Sequence, residues 1–207
     1  MGIIPSTVVT RVHLFRHGEV VTGAERVCRG QSDVPLSEVG RAQSAAAATW
    51  FAEAYGVPDR VVSSDLSRCA EFAGMMTGNP TFTRALREQD MGAWEGRNWS
   101  ALTAEDGAAV TAYWTDYVNA RPTDGESYRE AAERAVAWWE AQEFAGERVV
   151  IVTHIGVIRA LLCHWLRIDI DQSLRWAPGY ATHTSVLIAE AGVVVEVFGE
   201  RVAEEKK

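Results

Sequence analysis

A chain of 207 residues with 47% apolar content can enclose one sizeable core, and it holds no run near the roughly 18 to 20 apolar residues of a membrane helix. The formal net charge of −8 leaves no basic face for a nucleic-acid backbone, so neither nucleic acid nor membrane is an expected partner. Cys28, Cys69 and Cys163 are odd in number and far apart, which argues for reduced thiols in a cytoplasmic protein and against a disulfide framework or zinc site.

The opening Met1-Gly2-Ile3-Ile4-Pro5-Ser6 fits the loose N-myristoylation pattern, but no polybasic segment follows it, and it is given little weight. Residues 8–15 form a short β-branched run that stops at Arg16-His17-Gly18, as a buried strand entering a loop does. Turn-forming residues continue through Gly30 and Pro35 to Ser37, an N-cap for an alanine-rich helix reaching Tyr55. Residues 60–64 predict a second strand and residues 65–77 a helix with Arg68 in its first turn. Residues 81–86 alternate as a third strand, and Glu88 follows at its exit in a glycine-shaped loop, 87–97. Two helical stretches, 99–117 and 126–144, are separated by a break at 121–125 and are expected to form a small lid at about 97–145. Residues 148–153 predict a strand ending at His154-Ile155-Gly156, then a helix over 157–166, and residues 184–198 a hairpin turning near Ala191-Gly192.

Strands alternating with helices predict an α/β domain over 1–207: a three-layer sandwich with a mostly parallel central sheet. In such sheets ligands gather outside the carboxyl ends of the strands, where Arg16, His17, Arg68, Glu88 and His154 all fall. Nearly all of the 20 basic residues are arginine, whose planar fork matches phosphate oxygens. An imidazole can attack phosphorus to give a covalent phosphoenzyme, and His17 is placed for it. Arg16 and Arg68 can hold the phosphoryl oxygens, with a protonated His154 as a third cation. Backbone donors at the start of the helix carrying Arg68 would add to the same anion site. Glu88 can give the leaving alkoxide its proton, and neither metal ion nor cofactor is expected.

Leu14-Phe15-Arg16-His17-Gly18-Glu19 resembles the Arg-His-Gly signature of the histidine phosphatase superfamily, the phosphoglycerate mutase-like enzymes. The likeness continues in order through Gly30, Asp33, Leu36-Ser37 and Gly40, then Ser63-Ser64-Asp65-Leu66-Ser67-Arg68. Glu88 with Gly92-Ala93-Trp94-Glu95-Gly96, then Gly125-Glu126-Ser127 and the segment from Val152 to Arg159, are similar to the remaining blocks. The resemblance implies His17 as the phosphorylated nucleophile, Arg16, Arg68 and His154 as the phosphate pocket, and Glu88 as the proton donor. It places Arg29, Gly30 and Ile155 beside the substrate, a small phosphorylated metabolite. Two positions depart from the pattern: Gly23 stands where Asn is frequent, removing a side-chain donor, and Ile155 where Gly is frequent, narrowing the pocket wall.

Glu95 and Asp90 are the competing acids. His13, His164 and His183 read as packing or surface histidines, and most of the eight tryptophans as core, with Trp94, Trp99 and Trp114 the candidates for a substrate entrance. The expected activity is phosphomonoester hydrolysis of the kind seen in α-ribazole phosphatases and broad-specificity phosphatases. The rivals are a phosphoglycerate-type mutase, which must shield its phosphoenzyme from water, and an inactive phosphate- or phosphopeptide-binding module. The short polar end, residues 203–207, and the loop after Glu88 favour hydrolysis.

Overall fold

The computed structural model describes residues 8–21, 27–76 and 79–201; the myristoylation pattern, Gly23 and the polar end at 203–207 lie outside them. Six strands, β1 (Thr10–Arg16), β2 (Arg60–Ser64), β3 (Thr81–Thr83), β4 (Arg148–Thr153), β5 (Thr182–Ala189) and β6 (Gly192–Arg201), form one sheet in the order β3-β2-β4-β1-β5-β6. The first four are mutually parallel, and β5 and β6 close one edge as an antiparallel hairpin. This is the expected mostly parallel α/β sheet.

The period-two pattern of the strands assigns the two faces. Val12 and Leu14 of β1, Val62 of β2, and Val149 and Ile151 of β4 point to one side, against Leu161, Leu162 and Trp165 of α5 (Ile155–Leu166) and Ala135 of α4 (Tyr128–Glu140). Phe15, Val61, Val150 and Val152 point to the other, against Phe51 of α1 (Glu38–Tyr55) and Phe72 of α2 (Ser67–Met76). Each of the valine, leucine, isoleucine and phenylalanine side chains contributes about 1.5–3 kcal/mol by leaving water. Ser37 caps α1, its side chain accepting from the Gly40 N–H, and Ser127 with Glu130 makes a capping box at the start of α4.

Two expectations change in detail. The third strand stops at Thr83, whose side chain accepts from the Ala85 N–H and turns residues Arg84–Leu86 into a 3-10 helix. Leu86 is thereby buried and its carbonyl accepts from the Thr153 hydroxyl at 2.7 Å, carrying Glu88 back toward the strand ends. The stretch expected as a lid divides into two unlike parts. α3 (Trp99–Thr115), kinked at Asp106, packs through Leu102, Val110 and Tyr113 on Cys28, Met91 and Trp94, whereas α4 packs with α5 in the layer covering the sheet.

His13 and His183 are both fully buried beside Tyr55 and share a 2.8 Å contact between Nδ1 and Nε2, while their other ring nitrogens have no hydrogen-bond partner among the described residues, the nearest carboxylate to His183 Nδ1 being Glu200 at 3.7 Å. Burial, then the neighbouring His183, lowers the pKa of His13 to about 3; burial alone lowers that of His183 to about 4. In the unfolded chain both titrate near 6.5, so below that pH the unfolded state gains protons that the folded state refuses. Their contribution is complete above about pH 6.5 and falls as the pH drops toward 4, by about 2 kcal/mol for each histidine at pH 5. Urea unfolding at pH 7.5 and pH 5 should show this loss added to that from His17 and His154, which burial also keeps neutral; a drop that is no smaller when His13 and His183 are both replaced by asparagine would exclude neutral burial of the pair.

Candidate active site

The register of β1 and β4 pairs Arg16 with Thr153, so His17 and His154 leave the sheet side by side, their rings 5.1 Å apart. His17 is 7% exposed, and its Nδ1 lies 2.7 Å from the Gly18 carbonyl oxygen. A carbonyl only accepts, so Nδ1 carries the proton and Nε2 keeps its lone pair. Burial first, then the charges of Arg68 and Arg16, lowers the pKa of His17 to about 3 and keeps the ring neutral. Arg16 donates to the Pro178 carbonyl at 2.8 Å and lies over the Tyr180 ring, its Cζ 4.1 Å from the centroid, while its Nε is buried without a hydrogen-bond partner among the described residues.

Arg68, 4% exposed, donates to the carbonyls of Ser32 at 2.8 Å and Gly30 at 2.7 Å. That loop is in turn gathered by one carboxylate: Glu95 accepts from the N–H groups of Gly30, Gln31, Ser32 and Met91 and from the Ser32 hydroxyl. Gly30 was expected against substrate, but it forms part of this support behind the pocket. A Cβ there would lie 1.9 Å from the Gln89 carbonyl oxygen, so only glycine fits. The start of α2 is also less open to an anion than expected, because the Ser67 N–H is taken by Asp33 at 2.8 Å. With two guanidinium donors committed to the loop, three remain for a ligand, and lysine cannot serve both roles. Arg68→Lys should lower kcat/KM by roughly 10- to 100-fold, the worth of one or two charged hydrogen bonds; a near-normal value would place Arg68 outside phosphate binding.

Of the three acids, Glu88 borders the cavity, which neither Glu95 nor Asp90 does. Its two oxygens accept from the N–H groups of Gly156 and Gln89, each at 3.1 Å. A Cβ on Gly156 would lie 2.1 Å from Glu88 Oε1, which explains glycine at that position. Arg134 holds the Glu88 turn from behind, donating to the carbonyls of Ala85, Arg87 and Glu88 and pairing with Glu126 at 2.6 Å. Burial would push the Glu95 carboxyl upward, but its hydrogen bonds from Ser32 and the loop backbone hold it below the usual range. Asp90 accepts from the Gly92 N–H at 2.8 Å inside its own turn.

His154 is fully buried, with Nε2 3.0 Å from the Ser64 hydroxyl and 3.5 Å from the Cys69 sulfur. Burial, then the Arg68 guanidinium, the neighbouring titratable ring of His17 and the Arg16 guanidinium, lowers its pKa well below 6.5. The third cation expected from His154 is therefore a neutral imidazole in this structure.

These groups line a cavity of about 300 Å³ at the carboxyl ends of the parallel strands. Arg29 and Ile155 border it; Arg159, one turn along α5 from Ile155, borders it too and was not singled out as a pocket residue. Trp99, Tyr113, Trp114 and Tyr117 form an aromatic wall, whereas Trp94 is buried in the small core beneath α3. A larger recess of about 680 Å³ at the opposite strand ends presents only engaged charges: Arg11 with Glu196, Asp59 with the Arg148 N–H, and Glu147 with Arg60. His164 faces Glu140 on the surface, outside either cavity.

Comparison with known proteins agrees with the fold. A metal-independent phosphoserine phosphatase of Arabidopsis thaliana is 34% identical over 164 residues, 74% of this chain and 67% of that protein. A Citrobacter koseri protein named "Probable phosphoglycerate mutase GpmB" is 34% identical over 199 residues, covering 84% of this chain and 92% of its own. Among solved structures, a mycobacterial glucosyl-3-phosphoglycerate phosphatase superposes with a TM-score of 0.78 at 27% identity, covering 92% of this chain and 99% of that one. The α-ribazole phosphatase of Shigella flexneri shares the fold, with a TM-score of 0.82 at 21% identity over 95% and 100% of the two chains. Residues 12–201 match the family described as histidine phosphatase superfamily, branch 1, and the chain belongs to that superfamily.

Proposed function

We propose that this protein hydrolyses a small phosphomonoester, without a metal ion, by passing the phosphoryl group to Nε2 of His17 and then to water. The observation that carries this reading is the Nδ1–H of His17 donating to Gly18 O in a ring held neutral, which leaves Nε2 as a lone pair beside Arg16 and Arg68. Formation of the Nε2–P bond breaks the ester P–O bond, and the leaving alkoxide takes a proton from the Glu88 carboxyl. The Glu88 carboxylate then takes a proton from water as the new P–O bond forms and the N–P bond breaks. Arg16 and Arg68 supply the positive charge that the equatorial oxygens need. A phosphate dianion beside His154 draws that ring toward its protonated form, opposing the burial that keeps it neutral.

The named relatives include both a phosphatase and a mutase, and one assay separates the two activities. The protein is incubated with p-nitrophenyl phosphate and, separately, with 3-phosphoglycerate, each with chelator present. Release of inorganic phosphate at an unchanged rate in chelator is expected. Isomerised phosphoglycerate without free phosphate would favour the mutase, and activity lost in chelator and restored by Mg²⁺ would contradict metal independence.

A further inference from the structure

Two guanidinium groups in the cavity have no part in the chemistry above. Arg29 is half-buried and has no hydrogen-bond or ion-pair partner among the described residues. Arg159 donates from Nε to the Trp176 carbonyl, which leaves its two terminal nitrogens without a partner among those residues. It lies close enough to Arg16 to oppose that group's charge.

The charges that line the cavity decide what could accompany these groups: among the described residues, Arg16, Arg29, Arg68 and Arg159 face one carboxylate, Glu88. A phosphomonoester dianion is matched by Arg16 and Arg68. If Glu88 enters as the proton donor, it is uncharged when substrate binds, so Arg29 and Arg159 stand unbalanced in a partly desolvated space. Unpaired cations there are costly, and an anion that joins them is correspondingly well held. The geometry is also fixed. Arg16 and Arg159 are both anchored on carbonyls of one short strap, Pro178 and Trp176, so their separation is set by the backbone. A cavity of about 300 Å³ restricts the ligand to a small molecule, with the aromatic wall of Trp99, Trp114 and Tyr117 beside its carbon skeleton.

We propose that the substrate carries a second anionic group, a carboxylate or a further phosphate, received by Arg159 and Arg29 while Arg16 and Arg68 hold the phosphoryl group that is transferred. This rests on the phosphatase reading and narrows it to phosphorylated acids or bisphosphates, excluding phosphomonoesters of neutral alcohols as preferred substrates.

The test compares released phosphate for matched pairs: 3-phosphoglycerate against glycerol 3-phosphate, and propane-1,3-diol bisphosphate against its monophosphate. Within each pair the leaving group is a primary alkoxide, so kcat/KM reports the distal group. The wild-type protein should favour the doubly anionic member of at least one pair by roughly 10- to 100-fold, the worth of one charged contact; which pair responds identifies the second group. Arg159→Gln should cut that ratio by about tenfold, and Arg159→Gln with Arg29→Gln should bring it toward one. A ratio taken within one protein sample is independent of how much of a variant is folded. A ratio near one in the wild type, or a ratio that survives the double substitution, overturns the inference. Hydrolysis of p-nitrophenyl phosphate without such a preference overturns it alone, whereas a folded protein that releases phosphate from none of these compounds overturns the phosphatase reading with it.

Discussion

Alanine in place of His17 is expected to abolish phosphomonoester turnover, by a factor of roughly 10⁴ or more, and to abolish the covalent phosphoenzyme with it. The expectation rests on an arrangement that no other group in the cavity duplicates. His17 has one nitrogen committed to Gly18 O and the other without a partner among the described residues, whereas Nε2 of His154 is already engaged by Ser64 and Cys69. The neutral state also matters, because a protonated imidazole has no lone pair to offer phosphorus; burial beside two arginines removes that competition throughout the neutral range. Rapid quenching of the wild-type protein during turnover should trap one phosphoryl group per chain, stable in alkali and lost in acid, as a phosphoramidate is. The alanine variant should trap none while unfolding at a similar urea concentration. Turnover that persists in a folded His17→Ala protein would rule out the covalent route.

Much of this site could be read from the sequence because it depends on local signals. A β-branched run that halts at Arg16-His17-Gly18, and another that halts at His154, mark strand ends, and the parallel register of β1 with β4 sets the two histidines side by side. The cap at Ser37 is equally local. What was hidden depends on contacts distant in sequence. Gly30 looks like a pocket residue by its place in a motif, yet its carbonyl serves Arg68, 38 residues away. The buttress of Glu88 comes from Arg134, 46 residues on, whose own segment reads only as an amphipathic helix. Arg159 had a weak signal in its four-residue spacing from Ile155, which puts both on one face of α5. The charge of His154 could not be inferred from its residue type, because burial and four neighbouring charged or titratable groups set it. The pairing of His13 with His183 joins positions 170 residues apart and has no local trace.

Glu88→Gln should separate substrates by their leaving groups. A proton donor contributes in proportion to the basicity of the departing oxygen, and such a group supplies roughly 10² to 10⁴ in rate. Hydrolysis of an alkyl phosphate should therefore fall by about that factor, while p-nitrophenyl phosphate, whose phenolate leaves without a proton, should lose far less. Glutamine is a severe test of proton donation because it preserves the side-chain shape and its carbonyl oxygen can keep one of the two backbone contacts, with the Gly156 or the Gln89 N–H, while the loss of the other falls on both classes of substrate alike. The turn that carries residue 88 is held by Arg134 through backbone carbonyls, so its position does not depend on the carboxylate. Glu95→Gln distinguishes a supporting role from a chemical one. It weakens the nest of N–H donors that holds the loop on Arg68, and both classes of substrate should suffer alike because phosphate binding is disturbed. An equal loss for both leaving groups in Glu88→Gln would reduce Glu88 to a positioning role, and a selective loss in Glu95→Gln would move the proton to that carboxylate.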